Sequence, residues 1–582
     1  DLRGADLTGA MLAGALLDGT NFLTSKGYED APKVVVEPDL EGGIFGAPNA
    51  DLAVDAFAGG GNLGFAVGGA NDINNFRDNI NHDFLPLMSG VTYEGLFHDY
   101  FFDRGQSEAC EELFCPSFSY AVSADPISNK RDYYLSVGLN SGIKESEFER
   151  KDLNLVVVLD VSGSMGSAFD QYYYDGLGNR VELEDDERSK IKMEVANESV
   201  VALLEHLRPS DRLGIVLFSS NASLFLDLTR VEDLDLEALS QQILAITDRG
   251  STNMSAGYNT ATRLYDELRE IDPREEENRI IFLTDAQPNR GELSETGLLG
   301  LTEANADDQI YTSFIGIGLD FNTDLIQSIT KVRGSNYFSV RSPAQFKKRM
   351  STGFDFMVTP LVFGLEMTME SDDFTIEKVY GSPQADESTG QLLKVDTLFP
   401  SETTGGETKG GVILLKLRKK NLEIDAPTLN LSVRYEDRQS QVHRNSMAVT
   451  LEHDEVGRYD NTGIQKAILL ARYADLLKDW IFDERLSYQR ELPCDPMVTL
   501  EDGIVLPPFE PAPLLGQWER QSVSLFVSRP YRKLFEQFRE HFLLEAITLE
   551  DSDLGQEDEI LKKLSQFGSP ESWLADESLV VD

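Results

Sequence analysis

Basic residues are scarce in this 582-residue chain: 52 Lys and Arg stand against 100 Asp and Glu, a formal net charge of −48 at pH 7. A surface of that sign repels nucleic acid and anionic membrane, which argues against both as partners. The same excess concentrates divalent cations, or it serves only to keep a large protein soluble. Cysteine is nearly missing, and Cys110, Cys115 and Cys494 are too few for a disulfide scaffold. "ACEELFC" offers either a small disulfide loop or buried free thiols, and lacks the His or second Cys pair of a zinc site. Histidine is sparse and scattered (His82, His98, His206, His443, His453, His541). The H-E-x-x-H, G-x-S-x-G and Walker A patterns are all missing. No catalytic set is legible, so the chain reads as non-enzymatic. No apolar run reaches membrane-spanning length, which predicts no transmembrane segment. Neither is a signal peptide visible, and a start at Asp1 without methionine points to a processed or truncated end.

What is present is an ordinary globular interior, 41% hydrophobic, in a chain long enough for several domains. In residues 1–23, Leu2, Leu7, Leu12 and Leu17 recur every five positions, a period of neither helix nor ordinary strand. Residues 24–62 are rich in Gly, Ala, Pro and Asp and read as a linker. Their "GGGNLG" satisfies a dinucleotide-binding pattern only formally, since no strand precedes it. Residues 63–150 alternate short apolar runs with turns, as antiparallel β does.

From 151 to 350, strands at 154–160, 212–219, 279–284, 310–317 and 336–340 alternate with helices. The helices fall at 188–207, 233–247, 254–270, 293–307 and 343–351, the pattern of a doubly wound, Rossmann-like α/β domain. Strands return over 351–455, as in "GGVILLKLRK". Residues 456–550 are helical with a Pro-rich connection, "LPPFEPAPLLG". Residues 551–582 form an acidic tail, either docked or solvated.

The strand "LNLVVVLDVSGSMGS" ends in Asp160, Ser162 and Ser164, with Gly163 and Gly166 permitting a tight turn. In open α/β sheets, ligands sit at the carboxyl ends of the strands. Two further junctions carry matching chemistry: "DRGSTNMSAG" places Thr252 before a helix, and "RIIFLTDAQPN" ends a strand at Asp285. Three hydroxyls and two carboxylates suit a hard cation, Mg²⁺ or else Ca²⁺ or Mn²⁺, and not zinc or copper.

D-x-S-x-S, a downstream Thr and a later "TD" resemble the von Willebrand factor A domain and its metal-ion-dependent adhesion site. The resemblance implies that Ser162, Ser164 and Thr252 give hydroxyl oxygens to the ion. Asp160 and Asp285 would bind it directly or through water, and a partner's Asp or Glu carboxylate would complete the shell. One departure is Ala286, where many relatives have glycine. The flanking β regions resemble bacterial-type proteins in which the A domain is inserted in a β-sandwich-like module, a mount suited to hinge transmission. The first 23 residues resemble a pentapeptide-repeat stub, a short piece of square β-helix.

An insertion after the metal loop, "SAFDQYYYDGLGNRVELEDDER", carries Tyr172, Tyr173 and Tyr174 near the expected open position. It is either a partner-recognition loop or a solvated acidic one. The function implied is metal-dependent protein binding or adhesion. The alternatives are a scaffold subunit of a larger complex with a structural metal, or an accessory subunit of a metal chelatase, ATPase or hydrolase. The acidity and the adhesion-like site point to an extracytoplasmic compartment.

Overall fold

The computed structural model describes residues 62–68, 74–105, 112–167, 190–268, 276–285, 297–317, 331–340, 354–382, 391–421, 427–451, 453–491 and 524–568. The repeat in 1–23, the linker up to residue 61, the helix expected at 343–351, Tyr172 to Tyr174 and Ala286 lie outside them.

In chain order, the first flank forms β1 (Asn62–Val67), α1 (Asn74–Asn81), α2 (Tyr93–His98), β2 (Phe101–Asp103), β3 (Cys115–Ala124) and β4 (Arg131–Lys144). The α/β segment begins with β5 (Asp152–Asp160), α3 (Lys192–Leu204), β6 (Arg212–Phe218), β7 (Ala222–Arg230) and α4 (Leu236–Leu244). It continues with α5 (Met254–Arg263), β8 (Glu276–Thr284), α6 (Leu298–Asp307), β9 (Ile310–Ile317), β10 (Asn336–Val340) and α7 (Phe354–Val358). The second flank holds β11 (Val362–Glu370), β12 (Phe374–Tyr380), β13 (Gln391–Ser401), β14 (Thr403–Thr404) and β15 (Glu407–Lys409). After these come β16 (Val412–Lys419), β17 (Thr428–Asp437), β18 (Val442–Thr450) and β19 (Arg458–Tyr459). Three helices close the described chain: α8 (Thr462–Glu491), α9 (Arg529–Leu549) and α10 (Gly555–Gln566).

A strand apolar on both faces has to be covered on both faces, and β5 is such a strand. Leu155, Val157 and Leu159 join one buried core with Met193, Val200 and Leu203 of α3 and Ile243 of α4. Val156 and Val158 join the other with Met254, Tyr258 and Ala261 of α5 and Leu298 of α6. The sheet runs β10-β9-β8-β5-β6-β7, parallel except for β7, which pairs antiparallel with β6 at the edge. This is the doubly wound α/β architecture expected, with one strand, β7, that the hydrophobic pattern did not mark. Its residues are all exposed or only half-buried, so they lack the apolar run of the central strands.

The strands on either side of the α/β segment pair with each other. β1 lies between β4 and β13, and a single ten-stranded sheet runs β12-β16-β4-β1-β13-β11-β17-β18, with β3 and β19 branching from β4. The α/β segment is therefore inserted between two parts of one sheet. Its entry and exit are tied side by side: Phe148 stacks on Phe356, and Arg150 Nε donates to Asp355 at 2.7 Å. Arg150 also makes a two-pronged buried pair with Asp211, at 2.8 and 2.5 Å. Contacts beyond these connections stiffen the mount. Arg333 pairs with Glu436 at 2.7 Å, Arg438 with Glu277, and Gly334 N–H donates to Thr397 Oγ1.

The first C-terminal helix, α8, packs on the sheet, and α9 and α10 pack against α8, α1 and each other. Arg472 of α8 donates to Ser123 Oγ at 3.0 Å, and Asp475 accepts from Tyr93, Lys378 and Tyr380. Two short helices, α1 and α2, stand where the sequence reads as β throughout. Phe76, Arg77 and Ile80 of α1 are buried, and Thr92 Oγ1 caps α2 by accepting from Gly95 N–H. The acidic tail is docked over 555–566: Glu557, Ile560, Leu561 and Leu564 recur at helical spacing and are buried. Cys115 is disulfide-bonded, which corrects the free-thiol alternative for that residue.

Glu557 is fully buried and meets Arg77 of α1 and Tyr100, whose hydroxyl donates to it at 2.7 Å. This pair clasps the first described helix to the last. Glu557→Ala leaves the buried Arg77 guanidinium with Asp99 still beside it at 2.7 Å but without its buried partner, and should cost about 3 kcal/mol. The readouts are a lower melting temperature and lost hydrogen-exchange protection across 555–566. Wild-type protection there would refute the clasp.

Candidate metal centre

The five expected oxygen donors sit at the carboxyl edge of the α/β sheet. Asp160 closes β5, and Asp285 follows β8, its parallel neighbour. Both are buried, 0% and 4% exposed. The chain then turns so that Ser162 is buried while Ser164 faces solvent.

Backbone bonds stitch this turn to the loop before α5. Gly163 N–H donates to Gly250 O at 3.0 Å, and Arg249 N–H to Val161 O at 2.5 Å. Gly250 has φ +79, a left-handed conformation that glycine adopts without strain. At Gly166 a Cβ would lie 2.5 Å from the Asp248 carboxylate, so a side chain there would have to displace that group. The same loop carries Thr252, exposed, and then Asn253, whose side chain caps α5 by accepting from Ala256 N–H.

The polar atoms form one connected set. Asp160 Oδ1 accepts from Ser162 N–H at 2.8 Å, and Oδ2 from Thr284 Oγ1 at 2.6 Å. The Ser162 and Ser164 hydroxyls lie 3.0 Å apart, and Ser164 donates to Asp285 Oδ1 at 2.8 Å. The second Asp285 oxygen meets Lys192 Nζ at 2.7 Å, in a pair that is almost wholly buried. Hydrogen bonds thus join Asp160, Ser162, Ser164 and Asp285 directly, and Thr252 stands in the adjoining loop.

Sequence reasoning missed Thr284 and Lys192. Thr284 was visible as the first letter of "TD". Lys192 looked like any polar residue at the start of an amphipathic helix.

Burial, and next the nearby charge of Asp285, push the Asp160 carboxyl up to about 6. A second carboxylate at the end of the adjacent strand, with water excluded, disfavours the ionised form of Asp160. That is the environment a divalent cation relieves, and hydroxyls on the same rim supply further oxygen ligands. The residues present therefore fit a hard cation. Among the described residues no group of three or more His, Cys, Asp or Glu is placed to hold a metal, so the donors on offer here are mainly hydroxyls.

Oxygen donors gathered at the carboxyl edge of a doubly wound sheet define the class, and a family model agrees with it. Residues 155–287 match the model of the von Willebrand factor type A domain; the chain carries such a domain, and all five donors fall within it. Inter alpha-trypsin inhibitor heavy chain 4 of Mus musculus is 21% identical over 252 residues, 42% of this chain and 24% of that protein. The chain thus matches only about a quarter of that relative's length. Among solved structures, a von Willebrand factor type A protein from Catenulispora acidiphila is 13% identical, with a TM-score of 0.39. The alignment covers 67% of this chain and 84% of that one. Proximal thread matrix protein 1 from the mussel byssus, described with a zinc-occupied MIDAS motif, is 18% identical. It covers 35% and 46% of the two chains at a TM-score of 0.25.

In protein kept free of divalent ions, Asp160 holds its proton more tightly folded than unfolded. Its contribution to stability is then fully present below about pH 4, where the carboxyl is protonated in both states. It is lost as pH rises through about 6. Denaturation midpoints of the chelator-treated protein should fall over that window, and less steeply in Asp160→Asn. Equal slopes would show that Asp160 is not the group responsible.

Proposed function

We propose that the chain is a non-enzymatic protein-binding module whose ligand completes the coordination of a divalent cation. Asp160, Ser162, Ser164, Thr252 and Asp285 would hold Mg²⁺, or Ca²⁺ or Mn²⁺, and a partner's Asp or Glu carboxylate would supply the remaining oxygen. One observation carries the reading: two buried carboxylates and two linked serine hydroxyls converge at one sheet edge, with Ser164 open to solvent. Neutral hydroxyls leave a cation's charge only partly balanced, and an incoming carboxylate balances it in a partly desolvated place.

The insertion at 168–189 leaves and rejoins the domain at this edge, where Lys192 N–H donates to Ser167 O at 2.9 Å. We assign Tyr172, Tyr173 and Tyr174 to contact with the partner on that ground. An extracytoplasmic location follows from the adhesion-like site and is supported by the disulfide at Cys115. No described helix is long and apolar enough to cross a membrane.

The test is calorimetric titration of the whole chain with Mn²⁺, with Mg²⁺, Ca²⁺ and Zn²⁺ as competitors. One site is expected, lost in Asp160→Ala and weakened about tenfold or more in Ser164→Ala. Capture of immobilised Asp- or Glu-containing peptides should vanish with EDTA and with the corresponding Asn or Gln peptides. Chelator-insensitive capture would sink the proposal.

A further inference from the structure

Lys192 is the first residue of α3 and is about 1% exposed, with its ammonium 2.7 Å from Asp285 Oδ2. The helix itself does not explain a buried lysine there. A cation in the first turn opposes the helix dipole, which favours negative charge at that end. Losing water around an ammonium is also costly unless a carboxylate compensates. The partner that accounts for the position is Asp285, one of the two carboxylates of the metal centre. The other three carboxylate oxygens of that pair accept from neutral donors: Ser162 N–H, Thr284 Oγ1 and Ser164 Oγ.

We infer that Lys192 is a built-in counter-cation that couples metal binding to carboxylate binding; the inference rests on the metal-site reading above. With Lys192 in place, the two carboxylates present one net negative charge to a divalent ion instead of two. The ion alone is held more weakly, and the loaded centre keeps a surplus positive charge for an anionic ligand. By linkage, the carboxylate then strengthens the metal as much as the metal strengthens the carboxylate. Lys192 is in this sense a specificity-determining residue: it makes the centre favour metal and carboxylate together over metal alone.

The experiment titrates the full chain with Mn²⁺, following free Mn²⁺ by electron paramagnetic resonance, with and without saturating acetate. In the wild type, acetate should tighten Mn²⁺ several-fold. Lys192→Met, checked for folding by circular dichroism, should bind Mn²⁺ alone roughly tenfold or more tightly, with a smaller acetate effect. Lys192→Arg, which keeps the charge, should behave as wild type. Equal or weaker Mn²⁺ binding in a folded Lys192→Met protein overturns the inference. So does the lack of an acetate effect in the wild type, a check that needs no variant to fold. If the wild type binds no Mn²⁺ at all, the metal-site reading itself fails.

Discussion

The site depends on two like charges that the fold forces together. β5 and β8 are adjacent and parallel, so residues just past their matched ends must lie side by side, and those residues include Asp160 and Asp285. The helices packed on both faces of the sheet keep water away from them. The surrounding chemistry answers that constraint: a threonine hydroxyl and a backbone N–H on Asp160, a serine hydroxyl and an ammonium on Asp285. Without the burial, the same residues would be two solvated acids with little to offer a cation that water does not already provide.

The two ends of the sheet divide the work. The starts of its strands are bound into the ten-stranded sheet. Arg279, near the start of β8, is completely buried, donates to Gly334 O at 2.9 Å and lies over the rings of Tyr311 and Phe399. Burial depresses its pKa to about 9. Arg333 lies over Phe363 while pairing with Glu436. With Arg150 joining entry to exit, the α/β domain is held by several arginines across a broad face as well as by its two connections. The hinge-like mount expected from the insertion alone is thus a stiffened one. The carboxyl ends, carrying the loops of Asp160, Ser164, Thr252 and Asp285, face away from that anchorage.

The central strands and the site's donors were legible because their signals are local. Five aliphatic residues before Asp160, or four apolar ones before Thr284 and Asp285, state within one short stretch that a buried strand ends in oxygen-bearing side chains. The missed elements are those whose reasons lie far away in sequence. α1 reads as polar, "NNFRDNIN", and is helical in a setting where Arg77 meets a glutamate 480 positions later. The helix α10 hides in an acidic stretch because its buried face includes Glu557, a residue that looks solvated until Arg77 and Tyr100 are beside it. Lys192 was illegible for the same reason: its meaning is set by Asp285, 93 positions on. Buried ion pairs carry no local signature, so a reading by periodicity assigns their members to the surface.

The chain's −48 charge and the centre's chemistry act at different ranges. Over a Debye length or more, an acidic partner is repelled by the protein as a whole. Within a few ångströms, on the proposed reading, its carboxylate meets a cation whose charge the two aspartates and Lys192 leave under-balanced. On that reading, encounter is slowed for every acidic molecule, while capture would be reserved for one that can place a carboxylate at the open position. A surface of this sign therefore works against loose electrostatic association and leaves selection to the geometry of three loops. That is the arrangement a binding module needs if it must ignore the many acidic surfaces around it and hold one of them.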